Sequence, residues 1–232
     1  MLTTPKMMPI LMAKGICLIR ARVENDSLKT SYLRTYDPSH PKSEWSTFGA
    51  ENGKYFEADI KVSGMVSGGL WAAFWLFASE NRYDGDPSTG TEIDIMEYIV
   101  AYGNEGSWIK NLPDGNSLNH FNVATHWGKQ EGQNVSKFLN AGDFNIDIND
   151  GEFHRFGLRW LQGELTYFLD GTLVYTISEG VSSGNNQALI LSMEYDAPPN
   201  DAWRANENVL DYLDSLPDYF IVNYVRVYNL EE

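Results

Sequence analysis

The stretch Thr91-Glu92-Ile93-Asp94-Ile95-Met96-Glu97-Tyr98-Ile99-Val100 decides the fold, and it carries three carboxylates within six residues. The β-branched and aromatic residues between them, and a preceding loop rich in Asp, Pro, Ser and Gly, predict a β-strand. Alternation along a strand puts Glu92 and Asp94 on one face and the isoleucines on the other. Glu97 then points to the wrong face, unless one extra residue is bulged between Asp94 and Glu97. We expect that bulge. Three like charges on one face repel one another, so a sequence that places them together indicates that they have a function.

Composition restricts the function classes that fit the chain. The 232 residues include 43% hydrophobic residues, which suits one all-β domain with a large core. We find no internal repeat or linker and expect a single domain over residues 1–232. Seventeen basic against 32 acidic residues give a net charge of −15. This charge argues against nucleic acid and, more weakly, against a sulfated polyanion, so a neutral partner fits best.

No apolar run approaches the roughly 18 residues that span a bilayer, so no membrane association is expected. Residues 1–14 faintly resemble a short signal peptide but are interrupted by Lys14, and we interpret them as an atypical, truncated start. The single cysteine, Cys17, allows no internal disulfide and is expected to be a buried core thiol rather than a reactive one.

From Gly15 onward, short β-like runs alternate with turn signals, which is typical of a sandwich rather than of βαβ units. The dipeptides Asp150-Gly151 and Asp170-Gly171 each predict a type I′ hairpin turn. Residues 205–216 could form one or two surface helical turns. The predicted strands span residues 15–23, 28–36, 55–62, 70–77, 121–127, 144–148, 153–160, 165–170, 172–177, 188–193 and 220–228.

Several motifs, in this order along the chain, resemble glycoside hydrolase family 16. Residues 92–97 match its E-x-D-x-x-E signature in the bulged, laminarinase-like form, and residues 69–77 (GLWAAFWLF) resemble its G-x-W-P-A-x-W-x-L strand. Residues 52–62, 125–128 (THWG) and 223–228 (NYVRVY) resemble three further family elements. Together the matches cover nearly the whole chain.

The resemblance implies an all-β, concanavalin-A-like β-sandwich (jelly roll) of two antiparallel sheets with an open concave cleft. It also implies a retaining endo-glycoside hydrolase that cleaves β-1,3- or mixed β-1,3/1,4-glucan. In this family pattern Glu92 is the nucleophile, Glu97 the acid/base and Asp94 the residue between them. Their spacing permits a retaining pair without proving one. The alternative from pattern alone is a strand with a solvated acidic face.

Three further residues are candidates for substrate binding. Trp71 and Trp75 share a strand face with each other and could stack against sugar rings, although either could instead belong to the core. His126 could donate a hydrogen bond to a sugar hydroxyl beside the acid/base. His120, His126 and His154 do not fall at metal-ligand spacings, so no catalytic metal and no required cofactor are expected.

The sequence departs from the family pattern at several places outside the acidic strand. Ala72 replaces the usual proline, and Ser192-Met193-Glu194-Tyr195 replaces a glycine-rich run. The opening N-terminal strand of the family is not visible, and Asn223 stands in place of the usual Asp. The last two differences argue against the structural calcium that the resemblance would otherwise imply.

The resemblance predicts a secreted monomer that acts on a neutral β-linked polysaccharide. Agar, xyloglucan or another β-linked polymer remains open as substrate, as does transglycosylation with a sugar acceptor in place of water. A non-catalytic, lectin-like binding domain is the alternative from a different class, but it has no need for three clustered carboxylates.

Overall fold

The computed structural model describes residues 7–25, 27–41, 44–65, 69–78, 84–100, 117–182, 187–195 and 217–230. Short 3-10 helices lie between strands of this described part of the chain, at Pro87–Thr89, Ser117–Asn119 and Ala141–Phe144. The strands are β1 (Met7–Glu24), β2 (Ser27–Lys29), β3 (Tyr32–Arg34), β4 (Thr47–Phe48), β5 (Lys54–Lys61), β6 (Leu70–Ala78), β7 (Glu92–Ile99), β8 (His120–His126), β9 (Asn134–Asn140), β10 (His154–Leu161), β11 (Glu164–Leu169), β12 (Thr172–Ile177), β13 (Gln187–Tyr195) and β14 (Asp218–Leu230).

The strands form two antiparallel sheets. The back sheet has the order β12-β11-β10-β5-β14-β1-β2. The cleft sheet has the order β3-β13-β6-β7-β8-β9, with β4 paired to β13. Strands adjacent in space are often distant in sequence, as expected of a jelly roll rather than a simple meander. The predicted sandwich of two antiparallel sheets is confirmed.

The hydrophobic core lies between the two sheets and follows from alternation in the strands. In β5 every second residue is buried, and Phe56 is fully enclosed. Phe121 of the cleft sheet meets Phe156 of the back sheet edge to face, with ring centroids 5.3 Å apart. Trp160, also fully buried, donates its indole N–H to the carbonyl of Ser182. This packing leaves the opposite face of the cleft sheet free for polar side chains.

The N-terminal part of the chain differs from the prediction. The first strand begins at Met7 rather than at Gly15, because β14 is long enough to pair with residues 7–14. The run 28–36 is not one strand: β2 pairs with β1 in the back sheet, whereas β3 pairs with β13 in the cleft sheet. Val23, near the end of β1, is 44% exposed. Cys17 is half-buried against the core, and burial raises the pKa of its thiol.

Two further expectations are wrong and one is confirmed. Residues 144–148 form no strand, because Asn140 caps a 3-10 helix there and Asn145 ends it in the left-handed region at φ 60°. Asp150-Gly151 does not join two strands, since only turns precede β10. Asp170-Gly171 does join β11 to β12, with φ of 50° and 82° as a type I′ turn requires. Residues 205–216 lie outside the described residues.

Candidate active site

A bulge in β7 turns its three carboxylates to one side of the cleft sheet. Asp94 pairs with Ala124 and Glu97 with Asn122, so three steps along β7 match two along β8. The pairing with β6 shows the same extra residue. Ile95, the residue after Asp94, is buried in the core. The bulge predicted from the parity of Glu97 is therefore present, and Glu92, Asp94 and Glu97 all line one cleft of about 790 Å³.

Glu92 and Asp94 lie close to His126 at one end of this group. One ligand atom from each of the three residues lies within 4.8 Å of the others, and Asp94 Oδ2 lies 3.4 Å from His126 Nε2. Asp94 is only 3% exposed, whereas Glu92 is half-buried. Burial, reinforced by the charges of Glu92 and Glu194, raises the pKa of Asp94 well above its usual range. A protonated Asp94 can donate a hydrogen bond and so help to keep a neighbouring carboxylate ionised.

Glu97 is also buried, and it is held by an amide. Asn122 donates from Nδ2 to Glu97 Oε2 at 2.6 Å, and Asn122 Oδ1 accepts from the Ser136 hydroxyl at 2.9 Å. Burial and the charge of Asp94 raise the pKa of Glu97, while the bond from Asn122 opposes the rise. A carboxyl group with a raised pKa can hold a proton near neutral pH, which is the property required of a general acid.

The two tryptophans of β6 face the cleft rather than the core. Trp71 and Trp75 are half-buried and line the cleft. Their neighbours along the strand, Leu70 and Phe74, are fully buried on the opposite face. Ala73 pairs with Glu97, so a small side chain leaves room beside that carboxyl group. The sequence leaves open which face the two tryptophans occupy, and in the structure it is the cleft face.

His126 takes a different position from the one expected. The sequence suggests a place beside Glu97, but His126 pairs in register with Glu92 and contacts Asp94. It therefore lies at the Glu92 end of the carboxylate group. Its half-exposed ring remains accessible from the cleft.

A fourth carboxylate, Glu194 of β13, also lines the cleft and was not among the candidates. Its Oε1 accepts from the Ser192 hydroxyl at 3.1 Å, and the Ser192 oxygen accepts from the Trp75 indole N–H at 3.1 Å. Burial and the charge of Glu92 raise the pKa of Glu194. Alternation on β13 puts Glu194 on the same face as Ser192, but only the pairing of β13 with β6 shows that this face lines the cleft.

Asn122 and Ser136 were also missed. Asn122 could have been found, since it lies four positions before His126 on the same face of β8. Ser136 could not, because β9 (Asn134–Asn140) lacks a clear apolar alternation and was not predicted as a strand.

The spacing of Glu92, Asp94 and His126 would suit a metal ion, since two carboxylates and an imidazole are common ligands. The expectation of no metal stays a prediction. For calcium on the back sheet, Asn223 donates from Nδ2 to Asp59 Oδ2 at 2.8 Å, so its amide engages an oxygen that a cation would need.

No helix long and apolar enough to cross a bilayer occurs in the described part of the chain.

Comparisons with known proteins agree with the geometry. The family model for glycosyl hydrolases family 16 matches residues 21–207. The chain is 24% identical over 220 residues to a glucan endo-1,3-beta-glucosidase of Cryptopygus antarcticus, covering 83% of this chain and 75% of that protein.

Solved structures share the fold at lower identity. A mixed-linkage glucan enzyme of this family from Bacteroides ovatus, in complex with a G4G4G3G product, has a TM-score of 0.64 at 20% identity, covering 92% of this chain and 81% of that one. A kappa-carrageenase of Zobellia galactanivorans has a TM-score of 0.65 at 18% identity, covering 94% and 80%. With its family model matched over most of its length, the chain belongs to family 16 of the glycosyl hydrolases and is a glycoside hydrolase.

Proposed function

We propose that this protein is a retaining endo-glycoside hydrolase that cleaves neutral β-1,3- or mixed β-1,3/1,4-glucan. Glu92 is the nucleophile, Glu97 is the acid/base, and Asp94 assists between them. The observation that carries the proposal is the β7 bulge, which brings all three carboxylates to one face of a cleft. Double displacement requires two carboxyl groups that flank the scissile bond, one as the nucleophile and one as the acid/base.

In the first step, Glu97 gives its proton to the glycosidic oxygen while Glu92 attacks the anomeric carbon. The bond to the leaving sugar breaks, and a covalent glycosyl-enzyme forms through an oxocarbenium-like transition state. In the second step Glu97, now ionised, takes a proton from water, which attacks the same carbon and releases Glu92. The configuration is inverted twice and therefore retained.

The environments of the two glutamates support this division of roles. Burial and the nearby charge of Asp94 raise the pKa of Glu97, which favours the protonated form needed at the start. Glu92 is more exposed, and it lies within reach of Asp94 and His126, both of which can donate hydrogen bonds to it.

The charge of the cleft favours a neutral substrate. Its described lining holds four carboxylates and only one lysine, Lys129. Such a lining would repel a sulfated chain, so the fold shared with the carrageenase does not extend to its substrate. The tryptophans offer flat faces for neutral sugar rings. The names of the Cryptopygus and Bacteroides relatives support β-1,3- and mixed-linkage glucans, with agar, xyloglucan or transglycosylation as the alternatives.

We also propose that the protein is secreted and acts as a monomer. Polymeric glucans are too large to reach an enzyme inside a cell, and every carboxylate of the proposed mechanism comes from one chain. A lectin-like role is disfavoured by the presence of the full carboxylate set.

The test uses Glu92→Ala and Glu97→Ala, with Glu152→Ala at an exposed loop position as the control. Reducing-end release from laminarin and lichenan should be lost in the first two variants and unchanged in the third, with all three folded by circular dichroism. On an aryl β-glucan oligosaccharide, whose leaving group departs without acid catalysis, added azide should restore turnover, giving a glycosyl azide of inverted configuration from Glu92→Ala and of retained configuration from Glu97→Ala. Wild-type rates in either cleft variant would contradict the assignment. Products from xyloglucan and agar, followed over time, separate the substrate alternatives.

A further inference from the structure

The edge strand β3 extends the floor of the cleft beyond the residues already described. Tyr32 pairs with Ser192, Ser192 with Ala73, and Ala73 with Glu97. Side chains of directly paired residues point to the same face of a sheet. Tyr32 therefore faces the same side as Glu97, and Arg34 does so by alternation. This continuous row crosses four strands of the cleft sheet.

The side chains at this edge form a compact aromatic and polar platform. The Arg34 guanidinium carbon lies 5.2 Å from the Tyr32 ring centroid and 4.7 Å from that of Tyr36. Trp45 packs edge to face on Tyr36 at 5.3 Å and donates its indole N–H to the carbonyl of Asp37. These contacts hold the platform in place, while Tyr32 remains 58% exposed. The platform borders a shallow depression of about 360 Å³.

We propose that this platform is a distal subsite that binds the same β-glucan chain as the cleft. Tyr32 stacks against the apolar face of a sugar ring, and Arg34 donates hydrogen bonds to its hydroxyl groups. The inference rests on the proposed function, because it takes the ligand to be the substrate of the cleft. The β3 edge lies three strand spacings from β7, or about 14 Å, so only a chain of several sugars spans both sites.

Charge and strand length favour a neutral glycan as the occupant. Asp37 Oδ1 lies 3.5 Å from an Arg34 guanidinium nitrogen, so the arginine charge is already balanced and is poorly suited to capture an anion. Among the described residues β3 is the last strand at this edge of the sheet, and a protein strand that added to it would find only three residues for pairing. A glycan that continues from the cleft needs neither a free charge nor a long edge.

The test compares Tyr32→Ala with Tyr32→Phe, which keeps the ring, and with Leu173→Ala, which removes an exposed apolar side chain (54% exposed) at the far edge of the back sheet. For each variant, kcat/KM is measured on laminarin or lichenan and on the shortest oligosaccharide that is cleaved. Loss of one stacked ring should lower the polymer-to-oligosaccharide ratio about three- to tenfold. Tyr32→Phe should restore the ratio, and Leu173→Ala should match the wild type.

The outcomes separate the two proposals. An unchanged ratio in Tyr32→Ala, or an equal loss on both substrates, overturns the distal subsite while leaving the hydrolase intact. Absence of β-glucan cleavage by the wild-type protein overturns the proposed function instead. A dimer that dissociates on the Tyr32→Ala substitution, seen by sedimentation, identifies the platform as a contact between copies and also overturns the subsite.

Discussion

Replacing Asn122 by alanine should shift the pH dependence of the enzyme in a direction set by one hydrogen bond. The Asn122 amide donates to Glu97 over 2.6 Å inside the protein, and it is only 1% exposed. This bond favours the ionised form of Glu97 and so opposes the effect of burial on its pKa. Without the amide, the pKa of Glu97 should rise further.

The size of the shift follows from the strength of such bonds. A hydrogen bond to a charged group contributes about 1.5–3 kcal/mol. Since one pKa unit corresponds to about 1.36 kcal/mol, complete loss of the bond would raise the pKa by roughly one to two units. The lower value is the better expectation, because a protonated Glu97 can also accept from the amide.

The assay is kcat/KM on a soluble β-glucan across the pH range, which reports the free enzyme. If Glu97 must be protonated for the first step, the alkaline limb of the profile moves to higher pH in Asn122→Ala. Ser136→Ala, which only releases the far end of the amide, should move it less. Asn149→Ala, outside the cleft, should not move it. A limb that stays in place or moves to lower pH would refute the assignment of Glu97 as the acid.

Two further predictions concern stability and strand register. His154 bonds to Asp170 at 2.8 Å and to Asp150 at 3.2 Å; the Asp170 bond raises its pKa, although burial opposes the rise. The contribution of His154 to stability is therefore complete below about pH 6.5 and is lost as the pH rises through its folded-state pKa. In urea unfolding, His154→Gln should lose more free energy of unfolding relative to the wild type at about pH 6 than at about pH 9. An equal deficit at both would contradict this. Deleting Ile95 removes the bulge but keeps Asp94 and Glu97 on one face, so it should leave a folded protein with measurable hydrolysis, whereas deleting Ile93 should abolish hydrolysis.

The parts of the fold that the sequence predicts are those in which one face of a strand is apolar. In β5 and β6 alternate residues are enclosed between the sheets, so the alternation of apolar residues in the sequence predicts which side chains are buried. The bulge was predictable for the same reason, since regular alternation would have turned Glu97 away from the other carboxylates. The family motifs then added the prediction of two antiparallel sheets with an open concave cleft.

The parts that could not be predicted depend on tertiary contacts. β9 carries Asn134, Ser136 and Phe138 on its cleft face and is mostly exposed or half-buried, so its strand conformation comes from pairing with β8 rather than from its own composition. The run 28–36 looks like one strand, but its two halves pair with different sheets. Glu194 was visible as a departure from the family pattern, yet only the neighbouring β6 shows that it shares a cleft with Glu92.

The depth of each carboxylate accounts for how four of them share one cleft. Glu92 is the least enclosed carboxylate of β7. Its charge raises the pKa of Asp94 and Glu194, and Asp94 in turn raises that of Glu97. The raised pKa of Glu97 favours its protonated form, which the proposed mechanism requires at the start of the first step. The repulsion that makes the acidic strand unusual in the sequence is thus what distributes the roles.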